Sequence, residues 1–153
     1  LFGDLQCSSQ IGSITKFQDY DLLCPTEREA RIGIDNHNDS IEVVASSLLN
    51  QCRAKNLIMK LGADGFIAYG KDDDEFVHRQ YFPALTPNPV DVAGAGDSVL
   101  ATMALGMTRG LSLMESAALA CCVASLAVQT VGNLPIKISR VSELINSRFM
   151  RAK

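Results

Sequence analysis

Tryptophan is absent, histidine occurs twice, and aromatic residues make up 6% of the 153 positions. The five cysteines (Cys7, Cys24, Cys52, Cys121 and Cys122) contain no Cys-x-x-Cys spacing. An odd count without that spacing argues against a disulfide framework and a zinc site, and for a reducing compartment such as the cytoplasm. Lys and Arg never run beyond two in a row, and 14 basic against 17 acidic residues leave a net charge of -3. No nucleic-acid footprint is present. The longest unbroken apolar run, residues 117–124, falls far short of the roughly 18 residues a membrane span requires. Neither a Gly-x-y nor a heptad period is sustained, which excludes collagen-like and coiled-coil classes. The chain opens LFGDLQ, with no Met and no charged segment ahead of a cleavage site, so no secretory leader is read. What is present is apolar: 47% of the residues are hydrophobic, enough for the core of one globular domain and too many for disorder.

Local patterns alternate between strand and helix. Residues 20–25 (YDLLCP) read as a buried strand stopped by proline. Thr26 and Glu29 have the spacing of a capping box, which starts a helix there. A polar break, IDNHNDS, precedes a helical pattern over 40–50. Residues 57–61 and 66–69 read as strands joined by a Gly-Ala-Asp-Gly turn, and the alternation of Val77, Arg79 and Tyr81 predicts another strand over 76–82. Pro87 and Pro89 enforce an extended connector. Beyond it, 97–109 and 112–130 are apolar on most faces, as core helices are, and 139–151 reads as a last helix capped by Ser139. Strands interleaved with helices predict an α/β fold: a mostly parallel sheet in a three-layer α/β/α arrangement.

The chemistry concentrates at residues 91–98, DVAGAGDS, where the extended connector meets a long apolar helix. Small residues there leave first-turn N–H groups unobstructed at the positive end of the helix dipole, an arrangement suited to an anion. Asp97 sits among them. A carboxylate beside a phosphate nest can take the proton of an attacking hydroxyl while the amides hold the transferring phosphoryl group. The plainer alternative is that Gly94 and Gly96 make a tight turn and Asp97 caps the helix. A dinucleotide-binding fingerprint fails, because Val99 stands where its third glycine belongs, and no GKS or GKT sequence supplies a Walker A loop. His37 and His78 read as surface residues, Cys121 and Cys122 as small core hydrophobes, and residues 72–75 as a solvated turn without EF-hand spacing. Asp4, Gln6, Ser8, Ser9 and Gln10 form a polar cluster that reads either as a substrate contact or as a surface turn.

DVAGAGDS resembles the signature of the ribokinase-like (PfkB) carbohydrate kinases, Asp-Thr-x-Gly-Ala-Gly-Asp. Three further segments match that family in order: residues 21–29 its Asn-x-x-Glu segment, 61–65 its nucleotide-binding Leu-Gly-x-x-Gly turn, and 132–135 its glycine-proline turn. The resemblance implies an ATP-dependent transfer of phosphate to a sugar or sugar-like hydroxyl, with Asp97 as base and Gly94, Ala95 and Gly96 around the anion hole. It implies an ATP site touching Lys60, Gly62, Gly65, Cys121, Gly132 and Asn133. It also implies Mg2+ organised by Glu29, and K+ beside Asp91 and Ala93, with Ala127, Thr130 and Gly132 as further candidates. A homodimer of the longer protein is the implied assembly.

The departures are specific. Thr26 stands where the family has Asn, Val92 where it has Thr, and Lys60 where it has Thr. Lys60 either reaches an ATP phosphate or pairs with Asp64 or a neighbour of Asp97. The family's front half, with its Gly-Gly sugar motif and β-lid, has no counterpart here. Residues 1–153 are therefore expected to be the C-terminal, ATP-binding part of a single kinase domain, inactive alone. The alternative is a non-catalytic nucleotide- or ligand-binding module of the same fold. Kinases of sugars, nucleosides, aminoimidazole riboside and heptose phosphate share these motifs, so the acceptor is not specified.

Overall fold

The computed structural model describes residues 1–4, 13–71, 77–132 and 134–149. The chain divides into two compact units, Leu1–Phe82 and Pro83–Lys153.

The first unit carries one sheet of five strands in chain order: β1 (Phe2–Gly3), β2 (Leu22–Leu23), β3 (Asn56–Lys60), β4 (Phe66–Lys71) and β5 (Val77–Phe82). β1, β2 and β3 pair in parallel, with Phe2 opposite Leu22 and Leu23 opposite Leu57. β4 runs antiparallel to both of its neighbours. The sheet is therefore mixed, with β4 alone reversed. The short connections on either side of β4 permit only hairpin pairing, since a parallel return needs a crossover of about a dozen residues.

Two helices complete this unit. Thr26 caps α1 (Glu27–Gly33) through the full capping box: its hydroxyl accepts from the Glu29 amide, and Glu29 accepts from the Thr26 amide. Ser40 caps α2 (Ile41–Cys52), accepting from the Val43 amide. The buried face of α2, including Val44, Leu48 and Leu49, joins Leu57, Met59, Ile67 and Tyr69 of the sheet in one apolar core. Leu57, Ile58 and Met59 are buried in succession, the pattern of a strand covered on both faces. The alternation over 76–82 does not become alternating burial. Residues 78–81 are all exposed; Val77 packs on the core and Phe82 stacks on Phe66 with ring centroids 5.3 Å apart. β5 is an edge strand of this sheet.

The second unit is helical: α3 (Ala95–Thr108), α4 (Leu113–Ala127) and α5 (Ile138–Phe149). Ser112 and Glu115 form a capping box at the start of α4, from a Ser-x-x-Glu spacing visible in the sequence. α3 and α4 approach closely at Gly106, where an added Cβ would lie 2.6 Å from the Ser116 hydroxyl. α4 is a core helix, burying seven residues along its length. α3 is not: it buries Val99, Met103 and Gly106, while Leu105 is 61% exposed. Apolar composition all round a helix does not say which stripe finds a partner. Nor does Ser139 cap α5, which already begins at Ile138. No helix among the described residues is long and apolar enough to cross a membrane.

Candidate active site

In the second unit the connector folds back on the loop that follows α4. The Val90 and Asp91 amides both donate to the Val128 carbonyl, at 2.7 and 3.2 Å. The Asp91 carboxylate then accepts from the Ala93 amide at 2.9 Å with one oxygen and from the Gly132 amide at 2.9 Å with the other. The bonds from Gly132 and then Ala93 hold the Asp91 carboxyl below the usual carboxylate range. Asp91, Ala93 and Gly132, which the resemblance grouped around one cation site, are linked here through the Asp91 carboxylate. The sequence did not reveal that the Asp91 side chain is the staple.

The chain enters α3 through Gly94, whose φ of 76° lies in the left-handed region, where a side chain is disfavoured. No side chain caps this helix. The Ala95 amide reaches the Val92 carbonyl at 3.3 Å, whereas the Gly96 and Asp97 amides find no backbone acceptor among the described residues. Asp97 is exposed on the same first turn. The expected arrangement of small residues, open amides and one carboxylate is therefore present, with Ala95 the amide already engaged.

The first unit gathers a second group at the carboxyl ends of its strands. Gly62 and Gly65 both take positive φ, 63° and 99°, and shape a turn closed by the Leu61 amide on the Gly65 carbonyl at 2.8 Å. Tyr81, read from the sequence only as part of a strand, donates its hydroxyl to the Asp64 carbonyl at 2.6 Å and secures the turn from β5. Glu29 is half-buried and accepts from the Thr26 amide at 2.7 Å. Within this unit Lys60 pairs with Asp4 and not with Asp64. Its ammonium lies 2.8 and 2.6 Å from the two oxygens of Asp4. Asp4 is the one member of the early polar cluster that can be placed; residues 6–10 lie outside the described residues, as do Asn133 and the 72–75 turn.

Cys121 points inward. It is 8% exposed, its thiol donates to the Pro83 carbonyl at 3.2 Å, and burial with Cys122 beside it pushes that thiol up to about 11. Among the described residues no group of three His, Cys, Asp or Glu side chains is assembled to hold a metal ion.

Comparison with known proteins identifies the family and the fold. The profile of the pfkB family carbohydrate kinases matches residues 9–137. The bifunctional protein HldE of Wolinella succinogenes is 28% identical over 136 residues, covering 87% of this chain and 27% of that protein. The HldE of Sulfurimonas denitrificans is 30% identical over 132 residues, covering 84% and 26%. Among solved structures, ribokinase from Thermotoga maritima superposes with a TM-score of 0.77 at 23% identity, over 95% of this chain and 48% of that one. Arabidopsis thaliana ribokinase, solved with ribose and ATP, superposes with a TM-score of 0.75 at 24% identity, over 94% of this chain and 46% of that one. The fold is ribokinase-like. The chain spans about a quarter of the length of the curated relatives it matches and about half of these ribokinases.

Proposed function

We propose, from the premise that this chain belongs to the pfkB family of carbohydrate kinases, that it forms the ATP-binding part of a kinase acting on a sugar or sugar-like hydroxyl. Both units are read as the C-terminal part of one kinase domain, whose acceptor pocket needs residues outside this chain. The observation that carries the reading is the start of α3, where the open Gly96 and Asp97 amides share one exposed turn with the Asp97 carboxylate.

In the proposed reaction the acceptor hydroxyl oxygen bonds to the γ-phosphorus of ATP as the bond to the β-phosphate oxygen breaks. Asp97 accepts the hydroxyl proton, and the amides beyond Gly94, chiefly those of Gly96 and Asp97, receive negative charge on the transferring group. Gly62 and Gly65 lie under the ATP phosphates, with Gly132 and Asn133 beside the nucleotide. Cys121 then lines the adenine side from within the core. Mg2+ at the ATP phosphates, near Glu29, would neutralise their charge; K+ would sit by the carbonyls of Asp91 and Ala93, in the loop that the Asp91 carboxylate holds in place. The ATP found in the Arabidopsis ribokinase structure supports the choice of donor. A cytoplasmic homodimer is the setting this reading carries.

Transfer from ATP to a panel of sugars, nucleosides and sugar phosphates, by the protein that contains this chain, tests the proposal. Asp97→Asn is expected to lower turnover by about 100- to 10,000-fold with the KM for ATP nearly unchanged. Near-native turnover in that variant would remove Asp97 from the role of base. Glu29 favours one second reading, because its carboxylate is committed to the α1 cap. A non-catalytic nucleotide-binding module would bind Mg-ATP in calorimetry and phosphorylate no member of the panel.

A further inference from the structure

Two opposite charges lie almost out of water across the carboxyl ends of the parallel strands. Lys60 closes β3, Asp4 follows β1, and their paired side chains are 16% and 11% exposed. β2 lies between them, so the lysine reaches over it. Cys24, fully buried at the end of β2, feels both charges, and burial pushes its thiol up to about 12. A buried ion pair is a poor source of stability, because desolvation offsets most of the attraction. The carboxyl edge is also where open α/β sheets take their ligands.

Lys60 is tied on its other sides as well. Its amide donates to the Pro25 carbonyl at 2.9 Å, it bridges Thr26, and it faces Phe66 in β4. Thr26 is the residue that holds Glu29 in the cap, and Leu61, the next residue after Lys60, opens the Gly62–Gly65 turn. A single residue therefore joins both nucleotide-side motifs of this unit. Its ammonium reaches toward β1, whereas the turn leaves β3 on the side of β4. Lys60 thus meets the turn through its backbone, while its ammonium is engaged by Asp4.

We propose that Asp4 and Lys60 are a positioning pair, fixing the carboxyl ends of β1, β2 and β3 so that the Thr26–Glu29 cap and the Gly62–Gly65 turn hold one geometry. The use of that geometry for ATP phosphates rests on the kinase reading above; the fixed geometry does not.

Hydrogen–deuterium exchange of the ligand-free protein, followed by ATP titration, tests the pair. In Lys60→Met and Asp4→Asn, amides of residues 26–29 and 61–65 should exchange about tenfold faster while those of α2 change little, and ATP affinity should fall by about tenfold. Lys60→Arg keeps a cation for Asp4 and should restore both. The double variant Asp4→Leu with Lys60→Met replaces the pair by apolar groups. It should regain lost melting temperature without regaining loop protection or ATP affinity. Unchanged exchange in the two loops, or an equal rise throughout the unit, overturns the proposal, as does a double variant that recovers ATP affinity with its melting temperature. Should the single variants fail to fold, Asp4→Glu, which displaces the carboxylate without removing it, gives the same comparison of loops against α2. Loop exchange that responds as expected in a protein that binds no ATP supports the pair and sinks the kinase reading instead.

Discussion

The two units handle charge in opposite ways. At the strand ends of the first unit, Lys60 is paired with Asp4, and Glu29 is engaged at the cap of α1. At the start of α3, small residues replace side-chain partners, a glycine replaces a capping hydroxyl, and Asp97 stays exposed. Even Asp91, the charge that organises this loop, is satisfied by backbone amides and not by a cation. The difference separates scaffold from chemistry. Groups that fix geometry are hydrogen-bonded or ion-paired, while the carboxylate proposed to move a proton is left accessible.

The largest contrast to test is burial. Leu57→Ala, at a fully buried position, should cost about 2–5 kcal/mol, whereas Leu105→Ala on the open face of α3 should stay within about 0.5 kcal/mol in denaturant unfolding. Equal effects would mean that α3 is buried more than its exposure indicates. The two helix starts come next. Gly94→Ala forces a side chain into a left-handed conformation and should cost about 1–2 kcal/mol, with loss of activity. Thr26→Ala removes a side-chain cap and should cost about 1 kcal/mol. The reverse order would show that the connector before α3 relaxes freely. The smallest effect concerns Asp91, whose folded pKa lies below the ordinary 3.8. Its contribution to stability is complete above that unfolded value and is lost as pH falls through the depressed folded one. Asp91→Asn should therefore flatten the acid side of the stability profile, and the Ala93 and Gly132 amide resonances of the parent should titrate together. Independent titration of those two amides would show that Asp91 does not bridge the loops.

Much of this was legible in the residues. The capping box at Thr26, the Gly-Ala-Asp-Gly turn and the Gly94–Asp97 helix start follow from local rules of backbone conformation and hydrogen bonding, which act over a few residues. The family resemblance drew on the same short motifs. The reversed strand β4 was also within reach, because short connections permit nothing else. Less visible were contacts between residues distant in sequence. Asp4 and Lys60 meet only because β1 and β3 flank β2, and Gly132 finds Asp91 only because the loop after α4 returns to the connector.

The sequence by itself determined the capped starts of α1 and α2, where the chain must turn and which residues carry reactive groups, since each depends on neighbours along the chain. Only the tertiary structure decided which charges are used up and which face of α3 is buried. Those outcomes depend on desolvation and on partners supplied by other elements: Lys60 and Asp97 are both charged in the sequence, but packing encloses one and leaves the other in water.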